Sequence, residues 1–214
     1  MAWKKRRNQL EEIAEGLVKA GALQFGTYTL PDGRESSYYV NLRGVPSYPG
    51  VYGVVVEAMC GLVSKKVPKA KALCAVPLAG LMFASPMAVA LRKPLVYTRL
   101  EKKKNERLVE GEVRPGWSVV VVGDLATSGK TILTAADAIE DEGGRVTAAV
   151  VAIDRLEGAR EALSKRGIAL HCLTDVVELA DTLYSMELIS KENLKAITKS
   201  VGAASRPSGS SLPK

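Results

Sequence analysis

Apolar positions along this chain follow two different periods. Leu10, Ile13, Leu17 and Val18 recur at helical spacing, and Gly21 follows as a residue suited to close that helix. Residues 22–43 alternate apolar and polar positions around Pro31-Asp32-Gly33, which predicts a hairpin arm outside the main sheet. The pattern then predicts a helix over Val51–Lys65, a strand over Ala72–Val76, a small-residue helix over Ala79–Leu91 and a strand over Leu95–Thr98. Arg99 to Gly116 is charged and lacks an apolar stripe, as expected of a long functional loop or lid. Strand Val119–Val122, helix Thr131–Asp141, strand Val146–Ile153, helix Gly158–Lys165, strand Ile168–Leu173 and helix Asp175–Tyr184 complete the alternation. Strands alternating with helices point to an α/β fold, a parallel sheet core with helices on both faces. The 214 residues fit one domain, 1–204, with a tail at 205–214 of linker composition.

The densest chemistry lies in Ser118-VVVVGDLATSGKTI-Leu133. Four consecutive valines read as a strand buried on both faces. After them, Thr127-Ser128-Gly129-Lys130-Thr131 brings backbone N–H groups, hydroxyls and an ammonium to a helix N-terminus, which favours an anion. Asp124 stands just before, where a carboxylate can hold sugar hydroxyls or a metal. A P-loop would need glycine at position 124 and has Asp124 instead, a charge that would repel a triphosphate. The structural alternative is a plain strand–turn–helix with Thr127 or Ser128 as N-cap.

Composition narrows this picture. A net charge of +7 suits small polyanionic substrates, whereas two Phe and two Trp supply poorly any base-stacking platform, so nucleic acid is not the expected partner. Cys60, Cys74 and Cys172 are widely spaced within apolar stretches and read as reduced core thiols, not metal ligands. No apolar run reaches the ~20 residues of a membrane span, and the charged start MAWKKRRNQLEE lacks a secretion signal, so the cytoplasm is the expected compartment. The single histidine, His171, falls within a predicted strand and reads as structural.

Four segments, in order, resemble the orotate phosphoribosyltransferases of the type I phosphoribosyltransferase fold. They are GALQFGTYTLPDGRESSYYVNLR, AVPLAGLMFASPMAVALRKPLVYTRLEKK, VVVVGDLATSGKTI and GGRVTAAVVAIDRLEGA. The resemblance implies a small N-terminal hood over 20–45 and a mobile catalytic loop over 99–116. It also implies transfer of a phosphoribosyl group from phosphoribosyl diphosphate to orotate, with Mg²⁺ held mainly through substrate and no dedicated protein metal ligands. A homodimer with shared active sites is implied as well.

Carried over position by position, the resemblance gives Lys103 and Asp124 catalytic roles. Phosphoribosyl diphosphate falls to Arg99, Lys103, Asn105, Asp124, Leu125, Ala126, Thr127, Ser128, Gly129, Lys130 and Thr131, and orotate to Thr127 and Arg155. A planar guanidinium at 155 suits a carboxylate; an ion pair with Asp154 or Glu157 is the structural alternative. Lys130 either meets phosphate or faces solvent. Tyr38 and Tyr39 either flank the pyrimidine or pack within the hairpin. The chain departs from the family at Gly123 (usually an acid), Leu100 (a basic residue), Asn105 (a histidine), Pro31 (a lysine) and Ala79 (a lysine in some relatives). These departures leave a second reading: a degenerate relative that binds ribose phosphates as a regulatory or structural subunit.

Overall fold

The structure, a computed structural model, describes residues 2–29, 33, 35–99, 101 and 107–204. Helix α1 (Ala2–Lys19) leads into a two-stranded antiparallel hairpin, β1 (Leu23–Thr29) and β2 (Glu35–Val40). A 3-10 turn over Leu42–Ser47 leads to α2 (Pro49–Lys66). The main sheet is then built from β3 (Ala72–Ala75), α3 (Ala79–Leu91), β4 (Leu95–Thr98), β5 (Val109–Glu110), β6 (Ser118–Val122), β7 (Leu125–Ala126), α4 (Lys130–Asp141), β8 (Arg145–Asp154), α5 (Ala159–Ser164) and β9 (Ala169–Asp175). Helices α6 (Val176–Ser185) and α7 (Lys191–Ala204) follow.

Strands β4, β3, β6, β8 and β9 lie side by side and parallel, with β5 antiparallel on the outer edge of β4. β7 continues the line of β6 beyond Gly123-Asp124 and pairs with the far end of β8. Side chains alternate between two cores, as the period of a strand requires. Leu73, Ala75, Val120 and Val122 face one core together with α1, α2, α3, α6 and α7, whereas Cys74, Val119 and Val121 face the other with α4 and α5. Val119 to Val122 are all fully buried, as the unbroken valine run predicts for a strand covered on both sides. An irregularity in the β6–β8 register sets Val119 opposite Val146 but Val120 opposite Ala148, so Thr147 is the extra residue of a bulge.

The hairpin packs on the first core through Leu23, Tyr38 and Val40, and α7 lies against β2. This is the expected hood. Two expectations need adjusting. The charged segment after Arg99 is not all loop, because β5 returns it to β4, Val109 and Val113 are buried, and the Arg99 N–H donates to the Leu108 carbonyl at 2.9 Å. The pattern also passed over α7, although Leu194, Ile197 and Val201 keep helical spacing and Ile197 is fully buried. The expected tail at 205–214 lies outside the described residues.

Candidate active site

β3 and β6 are neighbours in parallel register, Ala75 opposite Val122, so the chain leaves both strands at the same sheet edge. Each then opens a helix, α3 and α4. Ligands of open α/β sheets bind outside the carboxyl ends of the strands, at such an edge. The two turns are joined tightly. The Val76 N–H donates to the Val122 carbonyl at 3.0 Å, and a Cβ at Gly80 would lie 2.6 Å from that same oxygen. Only a residue without a side chain lets the start of α3 sit this close to β6.

Neither helix is capped by a side chain. Gly129 is the N-cap of α4 with φ 81°, and no side-chain cap bond forms, so Thr127 and Ser128 do not serve as the N-cap. Both are exposed, as are Lys130 and Thr131. The loop is nonetheless fixed. The Thr127 carbonyl accepts from the Ala159 N–H at 2.9 Å, and a Cβ at Gly129 would meet Ala159 Cα at 3.3 Å. At the start of α3, Leu78 holds φ 60° and ψ −85°, again with no cap bond, and is 66% exposed. That backbone costs of order 1–3 kcal/mol, strain that collects at binding loops. Two adjacent helix N-termini thus turn unspent N–H groups and positive dipole ends to one place.

Asp124 stands between them, at the break separating β6 from β7. Its carbonyl accepts from the N–H groups of Ala152 (3.0 Å) and Ile153 (3.2 Å), which locks the kink against β8. Burial pushes its carboxyl above the usual carboxylate range, partly offset by the N–H of Leu125, its own N–H and the charge of Arg43. A Cβ at Gly123 would lie 3.4 Å from both Val151 Cγ1 and Val76 Cγ2. Position 123 therefore opens onto the apolar side of the kink, and Asp124 is the acid at the edge. Leu125 packs on the first core and Ala126 is buried in the second, so they can offer a ligand only backbone.

Arg155 directly follows β8 next to this loop, its N–H donating to the Ala126 carbonyl at 2.9 Å. Its side chain is only 4% exposed. Nε lies 2.8 Å from Glu157 Oε1, itself 8% exposed, and the guanidinium carbon sits 5.0 Å from the centroid of the Tyr38 ring. Tyr38 is fully buried, and that burial pushes its hydroxyl up despite the opposing pull of Arg155. Tyr39 instead stacks on Tyr28 with ring centroids 5.4 Å apart. The preceding Asp154 is also fully buried; it accepts from the Leu156 N–H at 2.9 Å and pairs with Arg160 at 2.7 Å. Arg99 reaches the same edge at the end of β4, where it pairs with Glu110 at 2.5 Å. Lys103 and Asn105, with Leu100 and Pro31, lie outside the described residues. The ion pair of Arg155 with Glu157 is the one the sequence offered as the structural alternative, but its burial and the packing of the guanidinium on Tyr38 escaped the sequence pattern. His171 lies in β9, away from this edge, with its pKa lowered by burial and by Lys66 and Arg160.

The phosphoribosyl transferase domain family matches residues 64–182. The chain is similar to the orotate phosphoribosyltransferase of Cenarchaeum symbiosum, 36% identical over 85% of this chain and 92% of that protein. Among solved structures, it resembles the orotate phosphoribosyltransferase from Aeropyrum pernix with a TM-score of 0.74 and 32% identity, covering 83% of this chain and 99% of that one. It also resembles the Leishmania donovani UMP synthase with a TM-score of 0.83 and 27% identity, covering 90% of this chain but 42% of that protein.

Proposed function

The chain belongs to the phosphoribosyl transferase family, and on that premise we propose that it transfers the 5-phosphoribosyl group of phosphoribosyl diphosphate to orotate. A carbon–nitrogen bond to the base forms as the carbon–oxygen bond to diphosphate breaks, giving orotidine 5′-phosphate and pyrophosphate. The observation that carries the reading is the pair of uncapped helix N-termini flanking Asp124 at one sheet edge. Two anion sites with a carboxylate between them match a substrate with phosphate at both ends and sugar hydroxyls in the middle.

In this reading the 127–131 loop takes the 5′-phosphate, the start of α3 takes the diphosphate and Asp124 orients the ribose hydroxyls. A transition state with oxocarbenium character needs positioning and charge stabilisation more than proton transfer. Asp124 supplies the negative charge nearest the sugar. Lys103 meets the departing pyrophosphate from the loop. Arg155 receives the orotate carboxylate, with Thr127 beside it. Mg²⁺ suits this donor set. The described residues contain no group of three or more His, Cys, Asp and Glu able to hold a metal, so the ion would sit chiefly on substrate oxygens and water, with Asp124 nearby. When bound, it neutralises charge on the leaving diphosphate.

We further assign the enzyme to a homodimer. Val89 on α3 is 80% exposed and Tyr97 on β4 is 38% exposed, apolar surface that suits a second copy. No described helix is long and apolar enough to cross a membrane, and we place the reaction in the cytoplasm.

The test is orotate consumption, followed by loss of its ultraviolet absorbance, in the presence of phosphoribosyl diphosphate and Mg²⁺. Arg155→Ala should impair orotate use far more than phosphoribosyl diphosphate binding. A well-folded sample that binds phosphoribosyl diphosphate without turnover would favour the regulatory reading that Gly123 raises.

A further inference from the structure

We propose that the amino edge of the sheet, opposite the site described above, carries a second anion site that takes a small polyphosphate, either free or on a nucleotide. The site stands apart from the function proposed above and does not depend on it.

Strands β3, β6 and β8 run parallel, so the edge opposite their carboxyl ends gathers their first residues. A cavity of about 560 Å³ lies there, between the end of α2, the turn that follows it and the starts of β6 and β8. Small-molecule sites occupy roughly 300–1,000 Å³, so the volume suits such a ligand. β8 covers ten residues from Arg145 to Asp154. At the rise of an extended strand its two ends are roughly 30 Å apart, too far for one small ligand to bridge.

The lining is cationic. Lys66, Lys69 and Arg145 bring three positive charges, Ser118 and Thr147 bring two hydroxyls, and Val67 with Pro68 forms an apolar wall. Among the described residues no carboxylate lines the cavity, and none pairs with any of the three cations. Elsewhere pairing is common, as for Arg107 with Glu142, Arg114 with Glu112 and Arg166 with Asp137. Lys66 ends α2, where a cation also suits the negative end of the helix. Lys69 and Arg145 belong to no helix and answer no such end. Three unpaired cations facing one concavity repel each other and attract a polyanion, and the guanidinium adds a fork matched to phosphate oxygens.

Backbone geometry supplies the remaining donor and holds the walls. Residues two apart in a regular strand share a face. Val146 and Ala148 instead face different cores, because the bulge of β8 falls between them and leaves Thr147 exposed on the cavity. The Lys71 N–H donates to the Ser118 carbonyl at 2.7 Å, and the Arg145 N–H to the Trp117 carbonyl at 2.8 Å. The Gly116 N–H donates to the Gly143 carbonyl at 2.8 Å, and Lys93 Nζ donates to the Ala70 carbonyl. The concavity is therefore set before a ligand arrives, which lowers the cost of binding.

The experiment is an amide NMR titration of the full chain with adenosine 5′-triphosphate and with inorganic tripolyphosphate, in Mg²⁺, with and without saturating phosphoribosyl diphosphate. Amides of Gly116, Ser118 and Thr147 should move with either probe, and should still move once phosphoribosyl diphosphate is present. Tighter binding of adenosine triphosphate identifies a nucleotide site, and equal binding identifies a site for the polyphosphate alone. Lys66→Ala and Arg145→Ala should each weaken the probe by about tenfold or more, the loss of a charged hydrogen bond. Melting should stay unchanged, because both side chains are exposed. Lys65→Ala, in the same last turn but outside the cavity lining, should change affinity by less than about twofold. Shifts confined to residues 127–131, no movement at the three amides with millimolar probe, or a Lys65→Ala loss as large as that of Lys66→Ala overturns the site. A chain that ignores phosphoribosyl diphosphate but shows the expected shifts loses the function proposed above and keeps this site.

Discussion

Replacing Glu157 with alanine removes the counter-charge of a guanidinium that the fold has taken out of water. Arg155 and Glu157 are 4% and 8% exposed and 2.8 Å apart, so the figures for buried pairs apply rather than those for surface pairs. Breaking such a pair from one side costs about 3–5 kcal/mol, because the surviving charge stays buried and unpaired. In a domain of this size each kcal/mol shifts melting by about 2–4 °C, so Glu157→Ala should lower Tm by roughly 6–20 °C. The assay is thermal unfolding of wild type, Glu157→Ala, Arg155→Met and the double variant. Removing both charges leaves no orphan, so the double variant should regain most of the loss, and the cycle should show strong coupling. Glu157→Gln should fall between, since an amide keeps the shape without the charge. A drop below about 3 °C for Glu157→Ala, or strictly additive single effects, would refute the reasoning. Arg155 would then be solvated, and its pairing with Glu157 a surface contact.

Two further outcomes follow from the same geometry. The Asp124 carboxyl is raised by burial, so the folded chain holds that proton more tightly than the unfolded chain. Stability is then lost as pH rises from the ordinary carboxylate value through the raised one. Asp124→Asn should melt higher than wild type at pH 7 and converge with it in acid, while turnover collapses; a lower Tm at pH 7 would contradict this. Val89→Glu, at a position 80% exposed, should leave the monomer folded and abolish the dimer by light scattering. A dimer that persists removes α3 from the interface.

Much of the fold was legible because its signals are local. The valine run of β6, the small residues of α3 and the alternation of strands with helices repeat over short spans, and the observed elements follow them closely. Strand β5 was not legible, since two residues carry no period and pair only because β4 is there to receive them. At the site, the loop after β6 and Asp124 could be read from the sequence because strand, turn and helix are contiguous. The choice between a capped turn and an open anion site could not. Thr127 and Ser128 fit either reading, and the left-handed backbone at Gly129 decided against a side-chain cap.

The sequence by itself therefore determined most of the alternation of strands and helices, the strand, turn and helix around Asp124, and an arginine just past the following strand. Periodicity and turn composition act over a few residues and need no partner. The tertiary structure alone decided that Arg155 is buried against Glu157 and Tyr38 and that Gly80 must be glycine because of the Val122 carbonyl. The contacts of Arg155 with Tyr38 and of Gly80 with the Val122 carbonyl join distant parts of the chain, and strand register and core packing fix them.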